Sequence, residues 1–407
     1  MGLTLKDYDK VKDVDWASLN PLLSGIELFT HKEKEFAEGT SPFPIYTKAH
    51  PDGACPFLID NLCFIHGTLG ESEKPTVCQL FPYTFVGTPR GVFAGVSHSS
   101  MASVRNIGRP LTEQRDMLDQ MLALNKDLQV ELRKDAGNTT SAPAAPQLNL
   151  APGLPITWDE YFIVEERLIL LTKQEPYENA CLMWLAACEI LAEASRLKSN
   201  QIELQALREF TPDLSVWQDR APSSFESLLL TLMCFRWLTW PILKKRRSQS
   251  NQKPASRLDI FGYVVSALLS KKMELPNCGK VSLDKLFTQS FAPLSKEINH
   301  FMRQYLFLKL FGKTYFGSSL AGLSVIAGFN HLVAVVLISL LYAKACADKR
   351  GTEIVIEDLY ESILLLDKQL TLVSQSTAQN VLLYDQGFAS PRIFNRLLAQ
   401  VGRSFAD

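Results

Sequence analysis

The sequence predicts a mainly α-helical protein: an irregular N-terminal cysteine-cluster domain followed by a multi-helix domain. Three observations lead there. Cys55, Cys63 and Cys78 gather with His66, Pro56, Pro75 and Pro82 into the stretch from Gly53 to Pro82, which has no sustained helical or strand period. Residues 136–155, AGNTTSAPAAPQLNLAPGLP, carry no charge and read as a semi-extended linker. Beyond them, apolar residues recur at helical spacing in one segment after another. The expected division is therefore a cysteine-cluster domain over 1–135, a linker over 136–155 and a helical domain over 156–407.

Length and composition set the outer bounds. A chain of 407 residues is long enough for about two or three domains with sizeable cores. Its 46% hydrophobic and 21% charged residues are ordinary for a globular protein, which argues against wholesale disorder and a polytopic membrane protein. A net charge of −1 gives no general attraction to nucleic acid, so none is expected as a partner. The opening, MGLTLKDYDKVKDVDW, has no apolar signal region, and a cytoplasmic location is expected. In that compartment thiols stay reduced, and clustered cysteines are more often metal ligands than disulfides.

In chain order, Leu19 to Phe29 is a short apolar-and-charged opening, HKEKEFAEG suits a helix and its end, and SPFPIY suits an extended piece. After the cysteines, Gly91 to Met101 alternates loosely and reads as a strand or hairpin. Thr112 begins a helix with an apolar face of Met117, Met121, Leu124 and Leu128, and Gly137 is its expected stop. Thr157 and Glu160 have capping-box spacing ahead of a helix to about Leu171, and Ser223 with Glu226 repeats it ahead of a helix to about Leu243. Further helices are expected at Glu178–Lys198, Arg257–Lys271, Leu294–Leu310, Ser318–Ala347, Ile356–Val373 and Ser390–Val401.

The uncharged run from Tyr315 to Ala343 has the length of a membrane span. Asn330 and His331 sit in its middle, where a lipid-facing polar pair is costly. A buried core helix from about Gly328 is the favoured reading, with His331 as a hydrogen-bonded core histidine; membrane association is the less favoured one. The basic run Lys244 to Arg247 reads first as a solvated helix end, and only second as a contact for anionic lipid or nucleic acid.

The cysteine spacing is C-x7-C-x14-C, and a reduced thiolate is a strong, soft ligand for zinc or iron. Such sites usually take four protein donors. Three are present in Cys55, Cys63 and Cys78, and the fourth is His66, His98 or a distant cysteine such as Cys278, or else the position is open to substrate. A nucleophile–base pair of Cys63 and His66 is a weaker reading, because spacing alone fixes no geometry. Cys181, Cys188, Cys234 and Cys346 lie in apolar helical runs and are expected in the core.

The segment CPFLIDNLCFIHGTLGESEKPTVCQLFPY resembles the YkgJ-type (CxxCxxCC) cysteine-cluster family of zinc- or iron-chelating proteins, to which the flagellin lysine N-methylases are similar. The matching pieces are Cys55-Pro-Phe-Leu58, Asp60-Asn61, Cys63-Phe-Ile65, Gly70-Glu71 and Cys78-Gln-Leu-Phe-Pro82, within the first quarter of the chain. The family's upstream cysteines are absent, and Met101 stands where a further cysteine is expected. The resemblance implies metal ligation by Cys55, Cys63 and Cys78. It also implies methyl transfer from S-adenosylmethionine to a lysine of a protein substrate, although no glycine-rich nucleotide loop is present. The alternative is a degenerate, non-catalytic helical scaffold or partner-binding protein with a structural cysteine segment. Catalytic residues are not identifiable from the sequence.

Overall fold

Two separate apolar cores organise this mainly α-helical chain. The computed structural model describes residues 1–38, 41–50, 54–135, 148–173, 179–217, 220, 223–249, 257–270, 272–282, 294–317, 319–374 and 378–403. The first unit comprises Met1–Phe85, Gly108–Ala144 and Ser248–Asn251; the second comprises Val86–Ile107, Ala145–Arg247 and Gln252–Asp407. The segment from Val86 to Ile107, expected with the cysteine cluster, thus belongs to the second unit.

In the first unit a small antiparallel sheet sets Ile45–Thr47 between Gly2–Leu3 and Phe29–His31. SPFPIY accordingly supplies the middle strand. Thr4 follows the first strand and caps helix Leu5–Val11: Asp7 N–H donates to Thr4 Oγ1 and Thr4 N–H to Asp7 Oδ2. Leu3, Val11, Trp16, Leu23, Ile45, Phe57 and Ile65 form the core, with Trp16 edge-on to Phe57 at 4.8 Å. Lys32 to Glu38 holds the expected helix, Glu33–Ala37. A 3₁₀ turn, Leu111–Glu113, occupies the expected start of the next helix, which runs Arg115–Asp135. Its Leu128 is buried while Met117, Met121 and Leu124 are half-buried, so the anticipated apolar face is present. The expected stop at Gly137 lies outside the described residues.

The second unit is built round the helix Val325–Arg350, in which every residue from Val325 to Ala347 is buried. It is the one described helix long and apolar enough to cross a membrane, yet the protein itself covers its whole apolar window. Its polar pair is satisfied inside: Asn330 Nδ2 donates to the carbonyls of Phe388 and Ser390 at 2.8 and 2.7 Å, and His331 Nδ1 lies 2.5 Å from Tyr384 Oη. Gly351, at φ 67°, ends the helix in the left-handed conformation that glycine adopts without strain. Gly328 is needed for a different reason. A Cβ there would land on the carbonyl oxygen of Tyr315, in the loop that returns across the helix start.

Ile356–Ser374, Ala378–Gly387 and Ser224–Cys234 pack on this helix, and Trp158–Lys173, Ala180–Ser199 and Lys296–Phe311 complete the core. Both capping boxes form. Thr157 N–H donates to Glu160 Oε2 at 2.8 Å, and Ser223 N–H to Glu226 Oε2 at 2.7 Å. The helix begun at Ser224 widens into a π turn over Phe235–Thr239 before continuing as Trp240–Gln249. Pro241 follows directly; it has no N–H and crowds the carbonyl four residues back, a crowding that a wider turn relieves.

Residues 136–147 of the expected linker lie outside the described residues, but its end is not linker. Leu148–Ala151 and Leu154–Ile156 form a hairpin whose Leu148, Leu150 and Ile156 sit in the core, turned at Gly153 with φ 76°. Leu-x-Leu followed by Pro-Gly is strand alternation and a turn, a pattern that the uncharged composition masks. Gly91–Val96 is the strand anticipated after the cysteines. A second hairpin, Lys272–Leu275 with Gly279–Ser282, and the helix Ala378–Gly387 were not anticipated. In the basic run, Arg246 pairs with Glu274 through two hydrogen bonds of 2.8 and 2.6 Å, while the side chains of Lys244, Lys245 and Arg247 lie outside the described residues.

Candidate metal centre

Asp60 and Asn61 create the first half of the cysteine site. Both take positive φ, 49° and 63°, in a two-residue turn that pairs Leu58 with Cys63 and Ile59 with Leu62. Asp and Asn tolerate this conformation better than other side chains, and two successive positive φ values are what a twisted tight hairpin requires. Cys55 enters the hairpin with its carbonyl accepting from Leu58 N–H at 3.0 Å, and Phe64 N–H returns to the Phe57 carbonyl at 2.8 Å. The fold-back places Cys55 and Cys63 at its open end, both against the first unit's core.

Cys78 arrives on the short helix Thr76–Leu80, whose position is set by Asp7. That buried carboxylate accepts from Thr76 N–H at 3.2 Å and Thr76 Oγ1 at 2.8 Å while also completing the Thr4 cap. One acid therefore joins the N-terminal helix to the Cys78 helix. Gln79 Nε2 donates to the Lys74 carbonyl at 2.6 Å, which pins the preceding loop.

The three thiols are half-buried. Burial pushes the Cys78 thiol up to about 12, with further upward contributions from the charges of Cys55 and then Cys63. A thiolate formed at one position opposes ionisation at the next. A fourth sulfur is also near: Met1 Sδ lies 3.8 Å from Cys78 Sγ, brought there by the strand Gly2–Leu3. The sequence reading missed Met1, because a thioether far away in sequence carries no motif.

His66 projects into solvent from the helix Phe64–Leu69, one residue beyond the buried Ile65. Neither distant candidate is free to serve. His98 is 1% exposed in the second unit's core, its ring 4.8 Å from that of Tyr305, and Cys278 is buried against Cys346 with the two sulfurs 2.7 Å apart. Cys181, Cys188 and Cys234 are core residues, as expected.

By chemistry, Cys55, Cys63 and Cys78 suit a thiophilic ion, with Met1 as a weaker soft donor. By geometry they are not yet assembled. Among the described residues, no three His, Cys, Asp or Glu side chains converge on a point that would hold a metal ion. Metal ligation by these residues thus requires a rearrangement that brings the three sulfurs together. No family model, curated protein or solved structure matches the chain.

Proposed function

We propose that the first unit is a thiophilic-metal site in which Cys55, Cys63 and Cys78 bind zinc or an iron–sulfur cluster. The observation that carries this reading is the nearness of soft donors: Cys55 and Cys63 share one hairpin against the unit's core, their charges reach Cys78, and Met1 Sδ lies 3.8 Å from Cys78 Sγ. Packing alone gives no reason to bring together three half-buried thiols, whose thiolates would oppose one another once formed. A bound cation supplies one, since it replaces their protons and turns repulsion into ligation. When bound, zinc would cross-link the hairpin to the Cys78 helix, and an iron–sulfur cluster would add electron transfer.

The proposed roles follow from position. Cys55 and Cys63 supply two donors from one hairpin. Cys78 supplies the third, and Asp7 holds its helix in place. Met1 or solvent completes the ligand set. Methyl transfer from S-adenosylmethionine to a protein lysine rests only on the sequence resemblance, and it is the catalytic extension of this proposal. Cys63→Ser tests the ligand set: metal should fall to background while far-ultraviolet circular dichroism is retained. Full metal occupancy in that variant would remove Cys63 from the site.

One observation favours a second reading, a non-catalytic helical scaffold whose cysteine segment is held by packing. It is the absence, among the described residues, of three converged donors. On that reading purified protein carries no stoichiometric metal, and added zinc leaves its melting temperature unchanged.

A further inference from the structure

Cys278 and Cys346 come from opposite kinds of element. Cys278 sits in the turn of the hairpin Lys272–Leu275 and Gly279–Ser282, and Cys346 lies near the end of the central helix Val325–Arg350. Their Sγ atoms are 2.7 Å apart, in direct contact and within reach of the covalent separation of about 2.04 Å. The surroundings hold the two elements in this register. Lys349 Nζ donates to the Asn277 carbonyl at 2.6 Å, and Asn277 Nδ2 reaches Tyr342 Oη at 3.5 Å. Asn277 takes φ 57° and Gly279 φ 75°, a tight turn that presents Cys278 to the helix.

We propose that Cys278 and Cys346 are a reversible dithiol–disulfide site, oxidised by a small-molecule disulfide such as glutathione disulfide. The two thiols are 8% and 7% exposed; Cys278 lines a surface groove of about 590 Å³, and Cys346 lies between two residues that line it. Cys278 and the helix neighbours of Cys346, Ala345 and Ala347, line this groove together with Lys280 and Lys349. The groove is of a size that takes small organic molecules. Its charged lining is Lys280 and Lys349 against Asp348, a net positive balance that suits an oxidant bearing carboxylates.

The chemistry is ordinary thiol–disulfide exchange. Cys346 yields its proton first, because the Cys278 thiol and then the Tyr342 hydroxyl donate hydrogen bonds to its thiolate, against the cost of burial. That thiolate attacks one sulfur of glutathione disulfide, forming a mixed disulfide and releasing one glutathione thiolate, which takes up a proton. Cys278 then loses its proton to solvent and attacks the Cys346 sulfur, releasing the second glutathione. Two protein thiols are oxidised and one small disulfide is reduced to two thiols, so electrons and protons balance. The product ties the hairpin turn to the central helix.

Peptide mapping of the full-length protein tests this. Reduced protein is freed of reductant without oxygen, exposed to excess glutathione disulfide, quenched with N-ethylmaleimide and digested without reduction. The expected product is a single peptide pair joined through Cys278 and Cys346, lost when dithiothreitol is added before digestion. Cys278→Ser should stop the exchange at its first step and leave glutathione on Cys346. Recovery of both wild-type residues as maleimide adducts after denaturation would overturn the proposal, as would wild-type protein that retains glutathione on either residue without forming the link.

Discussion

Lys309 Nζ lies 2.6 Å from Asp367 Oδ1, and both side chains are 4% exposed in the core of the second unit. Ser97 Oγ donates to the other oxygen of Asp367 at 3.3 Å. Burial alone would raise the Asp367 carboxyl, but the Lys309 ammonium and these hydrogen bonds hold it below its ordinary 3.8. Its contribution to stability is thus complete above about pH 4 and is lost as pH falls through the lowered value. Asp367→Asn should destabilise the second unit by about 3–5 kcal/mol, because Lys309 is left as an uncompensated buried charge. Asp367→Asn with Lys309→Met should recover much of that loss in urea denaturation.

Two buried histidines give a second pH dependence. Burial, then the charge of Lys309, pushes both His98 and His331 down to about 3; Asp367 opposes this in part. The rings around them are neutral: Tyr305 beside His98, and Trp237 and Tyr384 beside His331. Both are therefore uncharged when folded and take up protons once unfolded. Stability should be intact above about pH 6.5 and fall below it by about 1.4 kcal/mol per pH unit for each histidine. His98→Leu should halve the slope of unfolding free energy between about pH 6 and 5, and an unchanged slope would contradict the assignment.

Gly328→Ala tests the packing at the start of the central helix. The added methyl meets the backbone carbonyl of Tyr315, which cannot swing aside as a side chain can. The variant should lose about 1–3 kcal/mol despite alanine's better helix propensity. A more stable variant would mean that the loop before the helix yields freely.

At the cysteine site, the raised Cys78 thiol predicts slow alkylation. At pH 8 its thiolate fraction should be on the order of 1000-fold below that of a free cysteine, and iodoacetamide should label it last among Cys55, Cys63 and Cys78. Zinc binding at neutral pH should release about three protons, seen as a dependence of the calorimetric heat on buffer ionisation enthalpy. Release of none would place the metal elsewhere.

The helices were legible in the sequence because their signals are local. Thr157 with Glu160 and Ser223 with Glu226 mark helix starts within four residues, and the uncharged run round Asn330 marks the core helix. The hairpin at Leu148–Ile156 was hidden because its two strands are short and its composition is that of a linker. At the cysteine site, the Asp60-Asn61 turn was visible as a motif. The support from Asp7 and the approach of Met1 were not, since both cross more than sixty residues of chain. Cys346 looked like simple core packing because its partner, Cys278, lies 68 residues away on a hairpin with no strong strand signal.

The most direct test of the central claim is elemental analysis, with an absorption spectrum, of full-length protein purified without oxygen. Stoichiometric zinc is expected, or iron with labile sulfide and a brown absorption near ~400 nm, in each case lost on Cys63→Ser. Protein that contains neither metal, and binds neither when supplied, would contradict it.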